Sequence, residues 1–313
     1  MRQLAFVFPG QGSQKVGMGR ALYESEPAAR AVFDAADRAL GFALSDLIFE
    51  GPAETLTDTV NAQPALLATS LALLEAARAT GAPQPACVAG HSLGHFTALV
   101  AAGALSAAAA LRLVRARGQA MKAAGAAHPG GMAAVLRFDA GALRAICEQA
   151  SRETGRYVGV ANDNAPDQIV ISGATEALER AMTLLKEAGA RRIVPLNVSV
   201  AAHTPLMAGA AEALAAVLAK EEVHAPRLPV ISNVTAQPLR DAGDIRRDVC
   251  LQITSPVRWT ESVTALAGLG ATAFVEVGPG NVLTGLVKRI LPAAEAWSLD
   301  EEGGMARLLA AGC

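Results

Sequence analysis

The chain of 313 residues is 52% apolar, 18% charged and 4% aromatic, with a formal net charge of −2. That length buries an ample core in one large or two smaller domains, and the near-neutral charge, without a dense Lys/Arg run, argues against nucleic-acid binding. Cys87, Cys147, Cys250 and Cys313 stand far apart with no Cys-x-x-Cys pair, which fits a reducing, cytoplasmic setting better than a disulfide framework or a zinc site.

Leu4–Phe8 reads as a short buried strand, too short for a signal-peptide core and closed by Pro9-Gly10. The next residues, Gly10-Gln11-Gly12-Ser13-Gln14, lack the third glycine of a dinucleotide fingerprint, with Lys15 in its place. They read as a flexible loop with Gln11 at its tip. Helices are expected over residues 28–40 and 65–79.

A strand over residues 86–89, the turn Gly90-His91-Ser92-Leu93-Gly94 and a helix over residues 96–102 make the setting of a nucleophile elbow. The glycines permit a strained turn and a close helix–strand approach, so that the Ser92 oxygen stands clear of the sheet. The Leu93 amide then points from a helix N-terminus toward any oxyanion formed there. An ordinary turn is the bland alternative. The alanine-rich stretch from 98 to 113 is interrupted by Gly103, Ser106 and Arg112, below the roughly 18 apolar residues of a membrane span.

Ser106 is a candidate N-cap for a helix running to about residue 124. Arg112, Arg115, Gln119 and Lys122 form its polar face, whereas Arg117 lies on the apolar stripe Ala110, Leu113, Arg117, Ala120, Ala124. A guanidinium turned inward cannot shed its charge and needs an anion. A protein carboxylate, snorkelling of the side chain, or a substrate anion would each satisfy it.

Beyond Pro129 the pattern reads strand 133–138, helix 140–153, strand 157–161, strand 168–172, helix 175–188 and strand 192–196. That βαββαβ order is a ferredoxin-like unit. Buried strands resume at 230–232 and 273–277, so residues 129–198 read as an insert between 1–128 and 199–313. Just past it, Thr204 can cap and Pro205 can open a helix, which puts His203 before the positive end of a helix dipole, where a neutral imidazole is favoured. A histidine without chemistry is the alternative there. His91 reads as packing of the turn, and His128 and His224 as solvated loop residues. His91 and His95 lack the intervening glutamate and third ligand of a zinc site.

These residues resemble the malonyl-CoA:acyl carrier protein transacylases of fatty acid synthesis and the related acyltransferase domains of polyketide synthases. The resemblance runs through seven ordered blocks: residues 8–14, 90–94, 113–118, 131–135, 199–207, 252–259 and 276–280. It implies an α/β fold with an α/β-hydrolase-like large subdomain, an inserted ferredoxin-like small subdomain and the active site between them. It implies Ser92 as nucleophile, His203 as base oriented by the backbone carbonyl of Gln252, and an oxyanion hole from the amides of Leu93 and Gln11. Arg117 would hold the malonyl carboxylate, with Asn162 a further pocket residue. The sequence departs from the family pattern at His95, where a glutamate is usual, and at Ala201-Ala202, where bulkier or serine residues are commoner.

The implied reaction is ping-pong transfer of malonyl from malonyl-CoA, a substrate and not a resident cofactor, to the phosphopantetheine thiol of acyl carrier protein. It involves no metal, membrane or nucleic acid. A polyketide-synthase acyltransferase, a thioester hydrolase and a non-catalytic carrier-docking module are the alternatives. Arg191-Arg192 and Lys288-Arg289 are candidates for meeting an acidic carrier.

Overall fold

The computed structural model describes residues 2–198 and 200–312; Met1, Ser199 and Cys313 lie outside them. The chain is α/β, with one parallel and one mixed sheet. It opens with β1 (Leu4–Phe8), helices α1 (Arg20–Ser25), α2 (Pro27–Leu40), α3 (Leu44–Glu50), α4 (Ala53–Thr57) and α5 (Thr59–Ala79), then β2 (Cys87–Gly90), α6 (Gly94–Ala101) and α7 (Ala107–Ala127). The middle segment is β3 (Gly130–Leu136), α8 (Ala140–Thr154), β4 (Val158–Ala165), β5 (Gln168–Ala174), α9 (Thr175–Glu187) and β6 (Arg192–Pro195). The chain closes with α10 (Ala208–Leu218), α11 (Ala242–Gln252), β7 (Val257–Arg258), α12 (Trp259–Gly268), β8 (Ala273–Glu276), α13 (Val282–Ile290), β9 (Glu295–Ser298) and α14 (Gly304–Ala310).

The first sheet has the order β2-β1-β8-β9, every pair parallel. All five residues of β1 are buried, as a strand covered on both faces requires. Alternate side chains separate cleanly. Leu4, Phe6 and Phe8 join a core built with Phe33, Leu66, Phe96 and Leu113, whereas Ala5 and Val7 join Trp259, Val263 and Leu283 on the other side. Among the described residues the segment around Val230, expected as a strand, makes only isolated bridges, Val230 in parallel with Val88 and Ile231 antiparallel with Pro238, because the chain turns back at Ser232.

The second sheet has the order β6-β3-β5-β4-β7. Ala133, Val135 and Ile171 face α8 and α9, while Met132, Ala134 and Val170 face Met121 of α7, Met207 and Ile253. That second face brings the sheet against the helix carrying Arg117. The fifth strand, β7, comes from outside the middle segment and pairs in parallel with β4. It is too short to show as a pattern in the sequence.

Helix α5 begins at Thr59, six residues before the expected start. Asp58 caps it by accepting from the Val60 amide at 3.0 Å. Pro64 sits inside this helix and cannot donate to the Val60 carbonyl. Arg115 of α7 donates to that oxygen instead, at 2.9 Å, so the interruption is repaired from a neighbouring helix.

Candidate active site

Ser92 sits between β2 and α6 with φ 50°, a left-handed conformation that costs a non-glycine residue energy and is held only where its surroundings dictate it. The flanking glycines explain how the turn closes. A Cβ on Gly90 would lie 1.9 Å from the Gly94 oxygen, and one on Gly94 would lie 2.0 Å from the Phe8 oxygen. The Ser92 peptide is gripped from both sides. Asn233 Oδ1 accepts its N–H at 2.9 Å, and Gln252 Nε2 donates to its carbonyl at 2.9 Å.

Ser92 Oγ lies 2.8 Å from His203 Nε2. His203 also has a left-handed backbone, φ 61°, and is 3% exposed. Its Nδ1 lies 2.8 Å from the Gln252 carbonyl and 3.1 Å from that of Ser255. Both are pure acceptors, so Nδ1 carries the proton and Nε2 is left free to accept from the serine. Burial, reinforced by the nearby Arg117 charge, pushes this imidazole down to about 3, so it is neutral at physiological pH. Thr204 Oγ1 accepts from the Leu206 amide and caps the single 3₁₀ turn Pro205–Met207, which leads into α10.

Arg117 is turned inward and 2% exposed. Its Nη1 donates to Gln63 Oε1 at 2.8 Å, and its Nη2 donates to Ser92 Oγ at 3.1 Å and to Gln252 Oε1 at 3.3 Å. No carboxylate among the described residues pairs with it, and Nε has no partner. Burial lowers the guanidinium to about 10, so it keeps its charge. A relay continues outward: Gln63 Nε2 donates to Thr59 Oγ1 at 3.0 Å, which donates to Gln11 Oε1 at 2.9 Å. Among the described residues neither the Leu93 nor the Gln11 amide donates a hydrogen bond, so both remain available to an incoming oxyanion.

Of the residues singled out in the sequence, Ser92, His203, Arg117 and Gln252 are drawn into one hydrogen-bonded cluster, with Gln11 joined through the relay and Leu93 adjoining. Asn162 is buried on β4 but makes no side-chain hydrogen bond among the described residues. Asn164, two residues on, lies 2.7 Å from His91 Nε2, and His91 packs edge-on against Trp259. Gln63, Asn233 and Asn164 went unnoticed in the sequence. The Asp58-Thr59 helix start was the one local signal, since it places Gln63 inside an otherwise largely apolar helix. Arg289 is tied to Asp167 and Gln168, which leaves Lys288 as the exposed member of that basic pair; Arg191 and Arg192 are both exposed. Among the described residues no cluster of His, Cys, Asp and Glu is placed to hold a metal ion, and no helix is long and apolar enough to cross a membrane.

Residues 5–305 match the acyl transferase domain family. The chain is 50% identical over 290 residues to the malonyl CoA-acyl carrier protein transacylase of Bacillus subtilis, covering 93% of this chain and 91% of that one. It superposes with TM-score 0.96 and 45% identity on the malonyl-CoA:acyl carrier protein transacylase of Xanthomonas oryzae pv. oryzae, over 99% and 98% of the two chains. A malonyl-transacylase solved in complex with its type II polyketide acyl carrier protein aligns with TM-score 0.94 and 39% identity over 99% of each chain.

Proposed function

The chain belongs to the acyl transferase domain family, and from that premise we propose that it transfers malonyl from malonyl-CoA to the phosphopantetheine thiol of acyl carrier protein, for fatty acid synthesis. The observation that carries this reading is one hydroxyl, Ser92 Oγ, held between a neutral imidazole and a cation that no carboxylate among the described residues neutralises. His203 Nε2 takes the Ser92 proton as Oγ attacks the thioester carbon. The C–S bond breaks, and the departing thiolate takes that proton from the imidazolium. In the second half the carrier's thiol loses its proton to His203 and attacks the malonyl-serine ester, and Ser92 is reprotonated.

The Leu93 and Gln11 amides hold the oxyanion in both halves. Loss of one such donor in comparable sites costs about 10²–10³ in turnover. The Gln252 carbonyl fixes the imidazole tautomer, and Arg117 pairs with the free carboxylate of the acyl group. Asn162 is a further pocket residue on this reading. Malonyl-CoA is a substrate, and no step draws on a resident cofactor.

We read residues 1–128 and 199–313 as an α/β-hydrolase-like catalytic part and 129–198 as a ferredoxin-like insert; the βαββαβ order and the strand order β6-β3-β5-β4 support this. The widely spaced cysteines favour a cytoplasmic setting. The exposed Arg191, Arg192 and Lys288 would meet the acidic carrier.

Intact-mass spectrometry after mixing with malonyl-CoA tests the reading. A malonyl adduct is expected on the wild type, absent from Ser92→Ala and discharged by holo carrier protein. Absence of the adduct overturns acyl transfer, and rapid free malonate without carrier makes the chain a hydrolase. The complex with a polyketide carrier favours one variant reading, service to a polyketide pathway. Turnover with carriers of both kinds decides it.

A further inference from the structure

His95, the departure from the family pattern one turn beyond the nucleophile, is fully buried on α6. Its Nε2 lies 2.9 Å from Oδ2 of Asp248, itself only 5% exposed on α11. The contact is close but off the line of a hydrogen bond, and among the described residues neither ring nitrogen has an aligned partner. The other carboxylate oxygen, Oδ1, accepts from Ser232 Oγ in a short contact. Ser232 Oγ in turn accepts the amides of Val234 at 3.0 Å and Thr235 at 2.9 Å, which fixes the turn that follows β2's neighbouring segment.

Two paths lead from this cluster to the elbow. Asp248 stands one turn before Gln252 on the same face of α11, and Gln252 grips the Ser92 carbonyl and orients His203. Ser232 immediately precedes Asn233, which accepts the Ser92 amide and donates to the Gly90 carbonyl at 2.8 Å. The His95 amide itself donates to the Ser92 carbonyl at 3.2 Å. Side chains and backbone therefore close a ring through α6, α11 and the 232–236 turn, with the Ser92 peptide as its common member. A buried acid–imidazole contact is a poor source of stability compared with apolar packing. What it does supply is a fixed spacing between α6 and α11.

We propose that the His95–Asp248–Ser232 cluster positions the nucleophile, setting Gln252 and Asn233 against the two sides of the Ser92 peptide so that Oγ and His203 stay at reacting distance. His95 and Asp248 are positioning residues, acting through Gln252 and Asn233. The proposal rests on Ser92 being the acyl acceptor.

The test compares His95→Ala, His95→Gln and the double variant His95→Ala/Asp248→Ala in rapid-mixing acylation by malonyl-CoA, alongside thermal melts. His95→Ala strands the Asp248 carboxylate, so both melting temperature and acylation rate fall. The double variant removes both members of the contact and regains melting temperature, yet its acylation rate and kcat stay at least about tenfold below wild type, with KM for malonyl-CoA within about threefold. His95→Gln, whose amide reaches the carboxylate, returns kcat to within about threefold of wild type. A double variant with wild-type kcat overturns the proposal and leaves the cluster a structural brace. So does a change confined to KM, or a His95→Gln as slow as His95→Ala should the double variant fail to fold. If the wild type forms no malonyl adduct, the functional reading itself fails, an outcome separate from all of these.

Discussion

The Arg117 guanidinium touches the Ser92 hydroxyl, with Nη2 3.1 Å from the same Oγ that lies 2.8 Å from His203 Nε2. In the resting site this hydroxyl stands between a cation and a neutral imidazole. The cation favours the alkoxide character that grows during attack, and on the proposed reading it gains an ionic partner only when the acyl group itself carries a charge. A malonyl group brings that anion along, and an acetyl group does not.

Arg117→Ala therefore loses malonyl transfer far more than acetyl transfer. Leaving one member of a buried ionic pair uncompensated costs about 3–5 kcal/mol, so kcat/KM for malonyl-CoA is expected to fall by roughly 10²–10³ or more, with acetyl-CoA changed by less than about tenfold. Parallel measurement of the two acyl-CoAs checks this. Equal losses would make the arginine structural.

His203 sets two pH dependences. The free enzyme keeps a neutral base down to about pH 3, so kcat/KM for Ser92 acylation should stay flat from pH 8 to 5 and show no acid limb at the ordinary imidazole value of 6.5. Stability behaves differently. The unfolded chain binds a proton near pH 6.5 that the folded chain refuses until about pH 3, so this group's contribution is whole above 6.5 and is lost as pH falls between those values. The slope approaches about 1.4 kcal/mol per pH unit. Urea melts of wild type and His203→Gln at pH 7 and 5 should show the smaller acid loss in the variant.

Asn233→Ala frees the Ser92 amide and the Gly90 carbonyl together. Each buried group left unpaired costs about 1–3 kcal/mol, so a stability loss of at least about 2 kcal/mol is expected, with a fall in kcat greater than any rise in KM. Denaturant midpoints and steady-state kinetics measure both.

Gly90→Ala and Gly285→Ala should move in opposite directions. The first drives a methyl into the Gly94 backbone at 1.9 Å and should abolish folded enzyme. The second adds a methyl inside α13 with nothing within 4 Å and should stabilise by about 0.5–1 kcal/mol. Melting temperatures of the soluble fractions decide both.

What could be read from the sequence was whatever declares itself over a few residues. The inward stripe gave the direction of Arg117, and β1 runs over the residues its apolar pattern marks. Gln63 stayed hidden because Pro64 masked the first turn of α5, and the Arg115 contact that repairs that turn comes from another helix. Asn233 and Asn164 act across gaps of 141 and 73 residues, with no local pattern to announce them. β7 consists of two residues and becomes a strand only through β4.

Ser92, the imidazole beside it and the side chains that grip its peptide are spread over residues 92–252, and β1 is completed by β8 only after most of the residues have been added. A nascent polypeptide still lacking β8 and α11 carries a serine with neither an orienting carbonyl for its base nor a finished sheet beneath it. A chain cut short before α11 is therefore expected to be unable to attack a thioester, because neither Gln252 nor the finished sheet is there to hold Ser92 against His203.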